Sequence, residues 1–366
     1  MTAVARVTAA ARTINVMVVD DSAVVRGLIS RRIEEEPDLH VVASAANGEM
    51  ALVELRRRQV DVVVLDIEMP VMDGLTALPL ILAERPGIKV VIASTLTRRN
   101  AEISLRALQL GASDYVGKPE GAGSLVTAED FKRDLVDKVR ALGEAAVKAR
   151  SAAAPSATPF AAPRTAPAPS VAAAPPQIIA IGGSTSAPPV LVRIFESLGV
   201  QIHQPILLTQ HMPATFTALL AEQLQRAGGR PSAEGRDGEP ILPGRTYVAP
   251  GNWHMTAAVE GGRRVIRLDQ TAQVNFCRPA VDPMFRSLAE IYGAGVLAVI
   301  LTGMGADGAV GCEAIAKAGG RFAVQDEATS AVWGMPGAAA KTGHATRILP
   351  ADEIASFLIG QSGAHP

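Results

Sequence analysis

Two cysteines, Cys277 and Cys312, are too few for the disulfide framework that staples a small secreted domain. No apolar run approaches the roughly 20 residues needed to cross a bilayer, so direct membrane insertion is not expected. The opening Met-Thr-Ala-Val-Ala-Arg lacks the long apolar core of a secretion signal, and a cytoplasmic location is the expectation. Charge of one sign is also missing. The 35 Lys plus Arg and 36 Asp plus Glu leave a formal net charge of −1, which removes the simplest argument for a nucleic-acid or membrane-surface partner.

What the chain does have is apolar residue: 48% of its 366 positions, enough for two or three well-packed domains. From residue 144 to residue 176 Ala, Pro and Ser dominate and large apolar residues almost vanish. Ala-Pro repeats favour an extended, semi-rigid spacer and cannot build a core. The expected organisation is a domain at 14–140, a linker at 144–176 and a second domain at 177–361.

In the first domain, apolar runs at Asn15 to Asp20, His40 to Ala45, Val60 to Asp66, Lys89 to Thr95 and Asp114 to Gly117 are separated by helix-length segments. That alternation predicts a doubly wound, five-stranded parallel sheet of the α/β class. Such a sheet gathers Asp20, Asp21 and Asp66 at neighbouring strand ends. Three carboxylates there repel one another unless a cation intervenes, and hard oxygen ligands suit Mg²⁺. Lys118 follows the fifth strand, where its ammonium can pair with Asp66 or with a phosphoryl group on it. Ser94 and Thr95 offer hydroxyls at the end of the fourth.

Val-Asp-Asp-Ser at 19 to 22, Leu-Asp-Ile-Glu-Met-Pro-Val-Met-Asp-Gly at 65 to 74, Ala-Ser-Thr-Leu-Thr at 93 to 97 and Lys-Pro at 118 to 119 together resemble a response-regulator receiver domain. The resemblance implies that Asp66 is the phosphoacceptor and that Asp20 and Asp21 help it hold Mg²⁺. It also implies that Lys118 contacts the phosphoryl group and that Ser94, or Thr95 beside it, senses it.

Beyond the linker, Ile178 to Ile181 read as a buried strand running into Gly182, Gly183 and Ser184. The two glycines are expected to adopt backbone angles forbidden to other residues and so to project the Ser184 hydroxyl from the sheet edge. The bland alternative is an ordinary turn or a phosphate-cradling helix start. A nucleophilic serine needs a base. Of six histidines, His211 ends the apolar run Pro205 to Gln210, while His254 lies in a turn-rich segment suited to a pocket rim. The orienting acid is sought at a further strand exit. Asp307 follows the apolar run Gly295 to Thr302 on a glycine-rich turn, where it otherwise caps a helix; Asp326, after Arg321 to Gln325, is the rival. Ser184, His211 and Asp307 satisfy the geometric definition of a triad. Their chain order and Ser186 at the last position of the would-be G-x-S-x-G elbow disfavour an ordinary α/β-hydrolase.

Ile-Gly-Gly-Ser-Thr at 181 to 185, Gln-His-Met-Pro at 210 to 213, Phe-Thr at 216 to 217 and Ala-Pro-Gly at 249 to 251 resemble the catalytic domain of the chemotaxis methylesterase family CheB. So do Arg-Pro-Ala-Val-Asp at 278 to 282, Leu-Thr-Gly-Met-Gly-Ala-Asp-Gly at 301 to 308 and Gln-Asp-Glu-Ala at 325 to 328. The resemblance implies a second α/β domain with a mostly parallel sheet. It implies hydrolysis of glutamate methyl esters on methyl-accepting chemoreceptors, with release of methanol, and deamidation of receptor glutamines. Ser184 would be the nucleophile, His211 the base and Asp307 its orienter, with the N–H groups of Thr185 and Met304 as oxyanion donors and no cofactor for the ester chemistry. A sensor histidine kinase is the implied phosphodonor, and phosphorylation of the receiver the implied activator.

Two positions depart from the family pattern: Ser186 and Ala187 replace two glycines, and Gly337 stands where a basic residue is common. The altered Ser186-Ala187 segment is the one support for a rival account, a phosphorylation-controlled binding protein with an inactive esterase fold. A nucleotide phosphate loop at 182 to 186 is a third account, whose spacing matches neither common phosphate-binding motif.

Overall fold

Val, Ile and Leu crowd five short runs in the first half of the chain; four are strands buried on both faces or nearly so, as a parallel sheet between helices requires, while the edge run Leu39–Ala45 exposes His40 and Ser44. The structure is a computed structural model that describes residues 13–95, 97–118, 128–153 and 174–363, in two units. In chain order the first unit runs β1 (Ile14–Val19), α1 (Ala23–Glu34), β2 (Leu39–Ala45), α2 (Gly48–Arg57), β3 (Val62–Asp66) and α3 (Gly74–Glu84). Then follow β4 (Lys89–Ser94), α4 (Arg98–Gln109), β5 (Asp114–Gly117) and α5 (Ala128–Ala153), of which α4 is grouped with the second unit. The sheet order is β2-β1-β3-β4-β5, parallel throughout. Strand order reverses between β1 and β3, and the carboxyl edge at that switch point is where ligands bind in such sheets. Asp20 and Asp21 follow β1 there, and Asp66 ends β3.

Local chemistry starts the helices. Asn47 accepts a hydrogen bond from the Met50 N–H at 2.9 Å and Asp73 one from the Thr76 N–H at 2.7 Å, each satisfying an otherwise orphaned first-turn donor. Helix α5 corrects the expected linker. It continues through residues 144–153, because that stretch is rich in good helix formers and still buries Ala146 and Val147 after Leu135, Val139 and Leu142. The linker residues 154–173 lie outside the described residues.

The second unit begins with β6 (Ile178–Gly183), α6 (Ala187–Leu198), β7 (Ile206–Gln210), α7 (Ala214–Gly228), β8 (Ser232–Glu234) and β9 (Thr246–Val248). It continues through β10 (His254–Glu260), β11 (Arg263–Asp269), α8 (Val281–Tyr292), β12 (Val296–Ile300) and α9 (Ala309–Lys317). The last elements are β13 (Arg321–Gln325), α10 (Met335–Lys341), β14 (Arg347–Leu349) and α11 (Ile354–Gln361). Seven strands form a parallel sheet in the order β14-β13-β12-β6-β7-β9-β8. β10 and β11 form a separate antiparallel hairpin around Gly261-Gly262, both at positive φ, which a tight two-residue turn demands. Met255, Ala257 and Ile266 of the hairpin join Phe285 and Leu288 of α8 in one buried cluster with β6 and β12. The sheet order puts β6 between β12 and β7, so three strand exits lie side by side.

Candidate functional site

At the carboxyl edge of the first sheet, Lys118 Nζ lies 2.6 Å from Asp20 Oδ2 and 2.7 Å from Asp66 Oδ1. Asp20 and Asp66 are buried, Asp21 is exposed, and one oxygen from each of the three lies within 4.8 Å of the others. Burial pushes the Asp66 carboxyl up from its usual value, while the Lys118 ammonium pulls the other way. One ammonium meets two of these three clustered carboxylates. This all-oxygen, charge-deficient donor set fits a hard divalent cation such as Mg²⁺. The buried Ser94 ends β4, and its carbonyl accepts the Lys118 N–H at 2.7 Å, which ties that strand end to the lysine; Thr95 is the next loop residue.

In the second unit, β6 and β7 pair with Gly183 opposite Gln210, so Ser184 and His211 are the first residues beyond neighbouring strand ends. Backbone bonds fix both. The Ser184 N–H donates to Thr302 O at 3.1 Å, Gln210 Nε2 donates to Ser184 O at 2.8 Å, and the His211 N–H donates to Gly183 O at 3.1 Å. Gly303 is obligatory at the β12 exit: a Cβ there would come within 2.8 Å of Ser184 Cβ and 2.6 Å of Met335 Sδ. The expectation for Gly182 and Gly183 is corrected. Both remain in β6 and are absent from the positive-φ residues; they admit close neighbours, Val281 and Ala187, where a Cβ would meet each side chain at 2.7 Å. The left-handed residue is Ser186, with φ 61°, and α6 begins normally at Ala187 with Pro188 and Pro189 in its first turn.

His211 Nε2 lies 2.7 Å from Asp307 Oδ2. Asp307 is 1% exposed, and its carboxylate also accepts from the N–H groups of Val281 at 2.6 Å, Asp282 at 3.0 Å and Gly308 at 3.0 Å. It therefore caps α8, which precedes it in the chain, and reaches only the N–H of Gly308, the residue before the helix that follows. Burial works to raise the Asp307 carboxyl, but His211 and these N–H donors outweigh burial and hold it below the usual carboxylate range. Its neighbour Asp282 goes the other way, to about 6, because burial is joined by the Asp307 charge and only partly offset by the Gly311 N–H. Burial works to lower His211, yet Cys277 and Asp307 together raise it to about 10.

Among the described residues Ser184 Oγ makes no hydrogen bond, and His211 Nδ1 instead lies 3.4 Å from Cys277 Sγ. The Thr185 and Met304 N–H groups donate to no described residue, and Thr185 Oγ1 and Gln210 Oε1 are buried beside Ser184 without partners. Such open donors at one strand edge suit a developing oxyanion.

The rival residues serve structure. His254 is 0% exposed, with Nδ1 accepting the Ala280 N–H at 3.2 Å and Nε2 3.1 Å from Ala272 O, so it lines no pocket rim. Asp326 closes a local turn by accepting the Thr329 N–H at 2.9 Å. Gly337 lies buried in α10, where a Cβ would meet the Trp333 ring at 3.0 Å, so the glycine lets that ring lie on the helix. Sequence reasoning gave no site role to Cys277 or Asn275. Their only signal was proximity to the Arg-Pro-Ala-Val-Asp run.

Comparison with known proteins agrees with this architecture. The family model for CheB methylesterase matches residues 179–358, and that for the response regulator receiver domain matches residues 16–129. A protein-glutamate methylesterase/protein-glutamine glutaminase 1 of Rhodospirillum rubrum is 50% identical over 94% of this chain and 94% of its own. A protein-glutamate methylesterase/protein-glutamine glutaminase of Azospirillum brasilense is 49% identical over 94% of this chain and 92% of its own. Among solved structures, the CheB methylesterase catalytic domain of Thermotoga maritima is 38% identical, covering 50% of this chain and 98% of that domain at a TM-score of 0.49.

Proposed function

The chain belongs to the CheB methylesterase family, with a receiver domain ahead of the esterase, and we propose that phosphorylation of Asp66 activates it to hydrolyse glutamate methyl esters on chemoreceptors. It is a protein-glutamate methylesterase that also deamidates receptor glutamines, and it works in the cytoplasm, where receptor signalling segments and a sensor histidine kinase as phosphodonor are available.

Ser184 Oγ attacks the ester carbonyl as His211 takes its proton, and Asp307 holds the imidazole and balances its charge. The Thr185 and Met304 N–H groups receive the oxyanion, each donor worth about 3 kcal/mol in the transition state. Collapse expels methoxide, which takes the proton from His211 and leaves as methanol. Water then attacks the acyl-serine with His211 again as base, and the glutamate carboxylate departs. With a glutamine substrate, ammonia leaves in place of methanol. The single observation supporting this reading is the pairing of His211 with the buried Asp307 beside Ser184 across three adjacent strand exits.

In the receiver, Asp20, Asp21 and Asp66 would hold Mg²⁺, which supplies charge neutralisation for the incoming phosphoryl group. Asp66 is the acceptor, Lys118 pairs with the phosphoryl oxygens, and Ser94 or Thr95 answers the added charge. The test is methanol release from methylated receptor membranes with a small phosphodonor and Mg²⁺. Stimulation in the wild type that vanishes in Asp66→Asn is expected; equal stimulation of both would refute phosphoacceptor control.

A further inference from the structure

The imidazole of His211 has two nitrogens, and Nε2 is taken by Asp307 at 2.7 Å. Only Nδ1 is left to accept a proton from Ser184. In this structure Nδ1 faces Cys277 Sγ at 3.4 Å. The thiol is delivered by a strap that is itself anchored to the same acid. Val274 and Cys277 exchange backbone hydrogen bonds, N–H to carbonyl, at 3.1 and 2.9 Å, around Asn275 and Phe276, whose φ angles are 51° and 60°. Asn275 Nδ2 donates to Asp307 Oδ1 at 3.3 Å and lies 3.4 Å from Asp282 Oδ2. Two consecutive left-handed residues make a tight hairpin turn that ordinarily favours Asn-Gly, and Phe at the second place costs backbone energy. That cost places a sulfur on the base.

We propose that Cys277 is a positioning residue that holds His211 Nδ1 in the resting enzyme and must release it before Ser184 can pass its proton to the imidazole. The proposal rests on the Ser184–His211 reading above. The Cys277 sulfur, together with Asp307, favours the protonated imidazole, and a charged His211 is closed to Ser184. Removing the sulfur frees the base. The ionisable groups around the imidazole are Cys277 on the strap, Asp307 after β12, Asp282 on α8 behind Asp307, and Cys312 on α9, buried against that pair.

The test uses the full chain with ¹⁵N-labelled histidine, reading the His211 titration by NMR without substrate, alongside kcat and KM for methanol release between about pH 6 and pH 9. In Cys277→Ala, His211 titrates at lower pH than in the wild type. Its kcat at about pH 6.5 rises about threefold or more, while KM stays within about twofold. Cys277→Ser, whose hydroxyl does not ionise, moves His211 in the same direction as Cys277→Ala. An unmoved His211 titration in Cys277→Ala, or an unchanged or lower kcat, overturns the proposal. Cys312, 0% exposed, reports folding: it stays closed to iodoacetamide in an intact variant. Alkylating Cys277 in the wild type removes the S–H without a substitution, and the same downward shift of His211 is expected there. Retained activity in Ser184→Ala would strike the nucleophile assignment; an unmoved His211 strikes only the role of Cys277.

Discussion

Asp307 and Asp282 lie at the start of one helix, yet their proton affinities diverge because Asp307 collects the imidazole and several N–H donors while Asp282 is left mainly with burial. Cys277 and Asp307 set the behaviour of His211 against its burial. A base whose proton affinity is raised to about 10 is charged at neutral pH and works only once deprotonated, so kcat/KM should climb with pH beyond the usual histidine value of 6.5. A pH–rate profile already level at pH 6.5 would contradict this. The linkage has the matching sign: the pair's contribution to stability is fully present below about pH 6.5 and is lost as pH rises toward about 10. Asp307→Asn should lower kcat at least about 100-fold with the fold intact, read by methanol release and by far-ultraviolet circular dichroism. Ser184, His211 and Asp307 were legible in sequence because each lies in the segment that leaves an apolar run, Ser184 and His211 at once and Asp307 on the glycine-rich turn beyond it. Cys277 was not: its strap has no strand periodicity, and Asn-Phe lacks the Asn-Gly signal of a hairpin.

Elements were legible to the degree that their hydrophobic period was pure. The five receiver strands stand where their β-branched runs lie, within two residues at each end, and so do the strands carrying the triad. The β10–β11 hairpin escaped because its His254 end looks like a turn, although Glu260-Gly-Gly-Arg263 between alternating residues was a usable signal. The end of α5 escaped because Ala-rich composition reads equally as helix or spacer until Pro155 decides it. The entry to α6 carries a mismatch: Ser186 pays the left-handed penalty that a glycine would avoid. Ser186→Gly should therefore raise stability by about 0.5–1 kcal/mol, measurable as a higher urea midpoint with unchanged slope; a lower midpoint would mean that the serine side chain contributes more than its backbone costs. At the β12 exit the sign reverses. Gly303→Ala drives a methyl against Ser184 Cβ and Met335 Sδ, and a loss of about 1–3 kcal/mol with at least about tenfold lower kcat is expected.

The whole molecule carries a response-regulator receiver domain and a CheB methylesterase domain in one chain. The sequence reading placed both halves correctly by class because ordered motifs on two different sheets agreed, while the separation of roles between them came from where the strand exits put the acids and the serine. If the receiver restrains the esterase, a fragment beginning at Gln177 should show higher basal activity than the full chain, since a shift of about 1.4 kcal/mol already changes an open-to-closed ratio tenfold. An unchanged or lower rate in that fragment, once shown to be folded, would remove autoinhibition from the account. The central claim is that Ser184 is the nucleophile of ester hydrolysis. Methanol release from methylated receptor membranes, with phosphodonor and Mg²⁺ present, tests it most directly: the intact protein should release methanol and Ser184→Ala should fall to background, whereas wild-type release by Ser184→Ala would contradict the account.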